Sequence, residues 1–398
     1  MSLSSASPSK PAVARSVRRT GKPFFGALEG VIVEDPVDFE FDGAISRDHA
    51  VAAWTWMCRD LAAELLDADA DPQGPSGLAA LDSLSSELLA RARNAINAAS
   101  SDPEAKRRLQ AQLGGQEQFR RLPVVLAALQ CRGLIGKAQT FGRAVNGIQD
   151  EAAVGTALQS MPLTDPAVAA LLMQAAVGQV ANPVRLMTAV IRIAGSPAEA
   201  SVVRAGFAPL VDALLAHAQN QIHGLNTIGP FADIDLTCRA IDRFHRLIRA
   251  ISSSVELARN GRWAMVCAAL TKTVSNRVEP RLREVALDVN KALRRHREGH
   301  DRLDGDQILT ALNGVYILGA VRDARDSLAL NALFDQAWVQ VGEALEIHIQ
   351  RNLDALRQNP GDDVVSRRLD AAIKMAEIRF NLEYAEVLRR AKEAAEKG

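Results

Sequence analysis

Along most of this chain apolar residues recur at steps of three and four, the spacing that gathers them on one face of an α-helix. Between Asp165 and Glu199 the alternation lapses, and Arg185 and Arg192 are the only charged residues in that interval. The interval divides into two short helices, opened by Asp165-Pro166 and Asn182-Pro183, and Ser196-Pro197 opens the next. An Asp, Asn or Ser side chain accepts a bond from a helix-start N–H, and proline lacks the N–H that would go unpaired there. A helix that is apolar nearly all round has to be buried. The pattern therefore predicts a central helical hairpin wrapped by longer amphipathic helices. Pro166–Val184 is 19 residues without a charge. It is interrupted by Gln174, Gly178, Gln179 and the Asn182-Pro183 cap, so no transmembrane segment is expected.

Before this interval, one stretch has period two. Val37, Phe39 and Phe41 alternate with Asp38, Glu40 and Asp42, which places rings and carboxylates on opposite sides of an extended or β-like arm. A helix over about 46–67 would set Ala50, Trp54, Met57, Leu61 and Leu65 on one face, with His49 and Trp56 on the other. Helices are expected at about 78–99 and 103–113, then an interrupted helical run to about 158, in which Gly133, Gly136, Gly142 and Gly147 mark close packing points. Beyond the hairpin, helices are expected over about 197–223, 235–260, 263–297 (bent at Pro280), 305–326, 329–358 and 362–396. In the second of these, Ile241, Phe244, Ile248, Ile251, Val255 and Ala258 form a seam, and Gly261 is read as its C-terminal cap. In the last, Leu369, Ile373, Ala376, Phe380 and Val387 face inward. The uneven spacing of Pro166, Pro183 and Pro197 does not suggest a solenoid. The fold class is all-α: a multi-helix bundle with a short N-terminal arm. It divides into a disordered basic tail (1–28), an acidic and aromatic arm (29–45), an N-terminal helical region (46–160) and a C-terminal helical bundle (161–398).

Composition sharpens this picture in two ways. Aromatics are only 4% of residues against 48% apolar residues overall, so the core is built from small aliphatic side chains. The formal net charge is zero, yet the signs are segregated. Residues 1–22 carry Lys10, Arg15, Arg18, Arg19 and Lys22 and no acid, whereas residues 29–71 carry twelve acids against Arg47 and Arg59. Residues 235–298 carry fourteen Lys and Arg against seven acids. A balanced total argues against nonspecific nucleic-acid binding by the whole chain, and segregation points to a matched partner surface. Cys58, Cys131, Cys238 and Cys267 form no CxxC pair, which suits unpaired thiols in a reducing, cytoplasmic setting. The first 22 residues lack an apolar run, so no secretory signal peptide is expected. Their Ser-rich, acid-free character would alternatively serve as an address for a dedicated bacterial secretion system or an organelle.

Chemistry-bearing motifs are sparse. His296, His300 and Asp301 place two imidazoles and a carboxylate within six residues, the basis for an alternative reading as a metal-dependent helical hydrolase. Glu298 does not fit the HExxH spacing. His300-Asp301 resembles the His-Asp doublet of the all-helical HD phosphohydrolases over those two residues. Asp242 and His245 lie one turn apart, but Ile241 and Phe244 take the inward face there. Gly133-Leu-Ile-Gly136-Lys137 lacks the spacer and the hydroxyl of a phosphate loop. No metal site, cofactor or catalytic set is assigned. Arg239, Arg243, Arg246 and Arg249 fall within about 120° of one helix surface, and the basic face over residues 239–297 suits an anionic partner. Phe39 and Phe41 on the acidic arm suit insertion into a protein partner. The sequence thus reads as a non-catalytic scaffold, adaptor or regulatory protein, with these six residues as its partner-binding candidates.

Overall fold

The computed structural model describes residues 22–66, 75–225, 231–295 and 303–397. Among these the chain is all-α, with a single two-stranded sheet. It separates into two compact units, one ending at His217 and the other beginning at Ala218. The division falls within one helix.

The first unit contains α1 (Lys22–Leu28), β1 (Ile32–Val33), β2 (Ile45–Ser46) and α2 (Arg47–Trp56), which runs into a π-turn at Met57–Leu61. There follow α3 (Pro75–Ser101), α4 (Pro103–Leu113), α5 (Gln116–Gln130), α6 (Arg132–Val145), α7 (Glu151–Gln159), α8 (Pro166–Val177), α9 (Val184–Ala194), α10 (Glu199–Arg204) and α11 (Ala208–Asn220). Asp165 is the N-cap of α8 as its cap–proline pair predicts, whereas the N-cap positions of α9 and α10 fall on Pro183 and Ala198, just past Asn182 and Ser196. Asp165 accepts from the N–H groups of Ala167 and Val168, Asn182 from Val184 and Ser196 from Ala198.

Helix α8 is the buried element. Its residues 169–177 are all inaccessible, nine in succession. Leu171, Leu172, Ala175 and Ala176 join a core with Phe24, Trp54, Trp56 and Met57. Each fully buried leucine or valine contributes about 1.5–3 kcal/mol. The pairing differs from a hairpin: α8 packs on α6 and α5, while α9 packs on α7 and α10. The two charges of this interval are both engaged. Arg185 donates to the carbonyls of Val145 and Ile148 at the end of α6, and Arg192 pairs with Glu151 at 3.0 Å.

The glycines of α6 and the turn after it divide by environment. A Cβ on Gly142 would sit 2.2 Å from the Ala176 carbonyl oxygen, so this glycine sets the α6–α8 approach. Gly133 and Gly136 face open space, and Gly147 has only ordinary clearance. The packing role expected of all four belongs to Gly142.

The second unit comprises α12 (Ile234–Ser252), α13 (Arg262–Leu293), α14 (Gly305–Ala324), α15 (Asn331–Gln358), α16 (Asp363–Arg379) and α17 (Leu382–Lys397). Helices α12, α14 and α16 pack in succession, as do α13, α15 and α17, and each set also packs on the other. This alternation makes two layers although the helices differ in length. The seam residues Ile241, Phe244, Ile248, Ile251 and Val255 are buried, but α12 stops at Ser252, and Ala258 is exposed. Gly261 is the N-cap of α13 rather than a C-cap of α12. Pro280 lies within α13, which continues through it. The last predicted helix is two: α16 ends at Phe380, and Asn381 caps α17 by accepting from the Tyr384 N–H at 2.7 Å. That break changes the helical phase and turns Val387 out to solvent, 52% exposed, where an unbroken helix would have buried it.

Two stability outcomes follow from α8. Gly142→Ala must displace the Ala176 carbonyl and is expected to cost about 1–3 kcal/mol. Gly133→Ala, in open space on the same helix, should be neutral or stabilising by up to about 1 kcal/mol. Thermal melts of the two variants should therefore move in opposite directions. Gln174 is fully buried, and its side-chain amide finds no partner among the described residues. Gln174→Met should raise the urea midpoint by an amount equivalent to about 1–2 kcal/mol, because a buried unpaired amide carries a desolvation penalty.

Candidate functional site: an acidic cleft beside the N-terminal arm

The first 21 residues of the proposed tail lie outside the described residues, and Lys22–Leu28 is helical rather than disordered. The arm that follows holds a short strand pair with a loop between its strands. Strands β1 and β2 flank that loop and pair in parallel, Ile32 with Ile45 and Val33 with Ser46. The alternation survives as burial: Phe41 is buried and Val37 and Phe39 half-buried, while Asp38, Glu40 and Asp42 face solvent. The two rings lie 6.3 Å apart with planes 24° from parallel.

Arginines hold the loop at both ends. Arg47, the first residue of α2, donates to Glu34 at 3.0 Å and to Glu29 at 3.2 Å. Those carboxylates raise its pKa, the Glu34 hydrogen bond foremost. Arg121 on α5 pairs with Asp42 at 2.7 Å and donates to the carbonyls of Ala44 (2.9 Å) and Phe41 (3.3 Å). Gly43 closes the loop against α8: a Cβ there would lie 2.4 Å from the Ala170 carbonyl oxygen. A side chain at 43 would lift the arm from its seat.

Between the loop and the first turns of α5 lies a cleft of about 770 Å³. Asp38, Phe39 and Glu40 line one side, and Glu117, Arg120 and Arg121 the other. Arg120 pairs with Glu117 at 2.8 Å, which lowers the Glu117 pKa. His49 and Ser46 also line the cleft. The Ser46 hydroxyl caps α2 by accepting from the His49 N–H. Burial, and then the Arg121 charge, depress the His49 pKa. The cleft thus offers carboxylates, two arginines paired with acids, an aromatic wall and an imidazole on a backbone fixed from two sides.

The other predicted residues are placed as follows. Arg239, Arg246 and Arg249 are exposed on α12 and Arg243 is half-buried. The stripe is not a bare positive face. Arg246 pairs with Asp242 at 3.0 Å, Arg249 with Asp326 at 3.5 Å, and Arg239 donates to the Asp235 carbonyl. Burial, then repulsion from Arg246, lowers the Arg243 pKa. His245 is half-buried, and its Nδ1 lies 2.9 Å from the Ser327 hydroxyl. His296, His300 and Asp301 lie outside the described residues. Among the described residues no group of three or more His, Cys, Asp or Glu side chains could hold a metal ion. No helix there is long and apolar enough to cross a membrane. Burial raises the pKa of every cysteine thiol, to about 11 for Cys58, Cys238 and Cys267. Sequence reasoning found the arm but missed Arg121, His49 and Glu117, which complete the cleft. A lone basic residue 79 positions from its carboxylate leaves no local pattern.

The His49 shift has a definite sign. Its ordinary pKa is 6.5 and the folded value is lower. Below 6.5 the unfolded chain takes up a proton that the folded chain resists, so stability present above that pH is lost as pH falls toward the folded value. His49→Gln should therefore reduce the loss of stability between pH 7.5 and 5.5, read as the shift in urea midpoint against the parent chain. Comparison of the chain with protein-family models, with curated proteins and with solved structures finds no match.

Proposed function

We propose that this chain is a non-catalytic helical adaptor that binds another protein, and that the cleft beside the arm receives a basic segment of that partner. The observation that carries the reading is the pinned arm. It sets Asp38, Phe39 and Glu40 along one side of a cleft of about 770 Å³. A loop anchored by Arg47, Arg121 and Gly43 loses little freedom on binding, so contact energy is not spent on ordering it. Carboxylates beside a half-buried ring suit a lysine or arginine, whose aliphatic stem packs on the ring while its head meets the acids. Opposite charge also speeds encounter and disfavours acidic competitors.

Affinity capture from the native source tests the reading, comparing the intact chain with Asp38→Lys/Glu40→Lys. Reversal of both charges should cut recovery of the bound protein and weaken a Lys/Arg-rich peptide at least tenfold, about 1.4 kcal/mol. Raising salt should weaken the intact chain's binding in the same direction. Equal capture by the two forms would refute the cleft as the binding site.

A further inference from the structure

The second unit lays two arginines flat over glycines, and their surroundings differ. Arg281 of α13 lies on Gly314 of α14, where a Cβ would come within 2.7 Å of its Nη2. That guanidinium is buried and provided for: it pairs with Asp288 and donates to the Thr310 carbonyl. Arg379, at the end of α16, lies on Gly342 of α15 in the same way, with a Cβ there 2.7 Å from its Nη2. Its Nε donates to the Trp338 carbonyl at 2.8 Å. Among the described residues no carboxylate comes within ion-pair distance of it.

Aromatic rings take the place of a counter-ion. The Arg379 guanidinium carbon is 4.1 Å from the Trp338 ring centre and 4.8 Å from that of Phe380. Arg322, which pairs with Asp323 at 2.9 Å, lies 5.4 Å from the same indole, and Arg325, which pairs with Asp335 at 3.6 Å, lies 5.6 Å from Phe334. Phe334 packs on Trp338 at 5.4 Å and Phe380 on Tyr384 at 4.9 Å. Three rings, Phe334, Trp338 and Phe380, therefore meet three guanidinium groups at one place, and Tyr384 packs behind Phe380. Trp338, Phe380 and Tyr384 are only half-buried, and beside them Val339 and Leu382 are 53% and 59% exposed. Burial lowers the Arg379 pKa, Glu346 opposes that, and repulsion from Arg322 adds to it. An anion would relieve both the burial cost and the repulsion.

We propose that this end of the second unit is a docking surface for an acidic, amphipathic segment of a partner protein. A carboxylate of that segment takes the Arg379 fork, and its apolar side chains cover Val339 and Leu382. A planar guanidinium held by stacking and one hydrogen bond is preorganised for bidentate contact with a carboxylate. Tryptophan, tyrosine and arginine are enriched among the energetic centres of protein interfaces. Arg379 and Phe380 close α16, and Tyr384 stands on the first turn of α17. This surface belongs to the second unit and does not depend on the acidic cleft.

The test is fluorescence anisotropy with the full chain and three labelled amphipathic peptides, identical in Leu positions and carrying Glu, Gln or Lys at the polar ones. The Glu peptide should bind at least tenfold more tightly than the Lys peptide, and salt should weaken it. Arg379→Gln should reduce its affinity at least tenfold, and Arg379→Lys, which keeps the charge but loses the fork, should fall between. Val339→Asp and Leu382→Asp, both at exposed positions, should weaken it without changing the circular dichroism spectrum; they decide the matter if Arg379→Gln fails to fold. Equal binding of the Glu and Lys peptides would overturn the proposal, as would folded variants with unchanged affinity. Tighter binding of a peptide spanning this chain's own residues 29–45 would overturn its assignment to a separate partner.

Discussion

The close approach of α6 to α8 at Gly142 is the contact on which the first unit rests. With no side chain at 142, the backbone of one helix meets the Ala176 carbonyl of the other. Dispersion contacts at that range are individually small and collectively large. Helix α8 has almost no polar surface to offer water, so its stability comes from being enclosed, and the enclosure depends on neighbours that can come near. The arm uses the same helix as its seat. Gly43 meets the Ala170 carbonyl on α8, so the geometry of the cleft follows from the position of the core helix.

Charge has a different task from burial here. The ion pairs of Arg47 and Arg121 lie near the surface, where each is worth little in isolation. Their effect is positional. Each guanidinium bonds several oxygens at once, and the Arg121 set includes two backbone carbonyls, so the loop between β1 and β2 is fixed at both ends. The same principle recurs in the second unit, where Arg281 ties α13 to α14 through Asp288 and the Thr310 carbonyl. Arg379 departs from it: its shape is fixed by rings and one carbonyl while its charge is left without an ion-paired carboxylate among the described residues. That contrast distinguishes an arginine serving the fold from one offered to a ligand.

Much of the architecture was legible in the chain before any coordinates. Cap–proline pairs located helix starts to within two residues because their chemistry is local: a side-chain oxygen meets an N–H two or three residues away. Burial of the 166–177 helix followed from its lack of charge. The inward seam of α12 followed from periodicity. What periodicity could not supply was where a helix stops when no strong breaker marks the place. The predicted helix over 235–260 ends at Ser252, and the one over 362–396 divides at Phe380. In the second case the polar Asn381 acts as a cap only because the chain turns there.

Local sequence, then, determined most of the helical segments (though not Lys22–Leu28), which of them must be enclosed, and that acids and rings alternate along residues 37–42. Tertiary structure alone decided which glycine is a contact point, which arginine is a tie and which a platform, and that residues from 38 to 121 share one cleft. These outcomes depend on pairs of residues tens of positions apart, and the energy of such a pair is set by distance in space, which one-dimensional spacing does not encode.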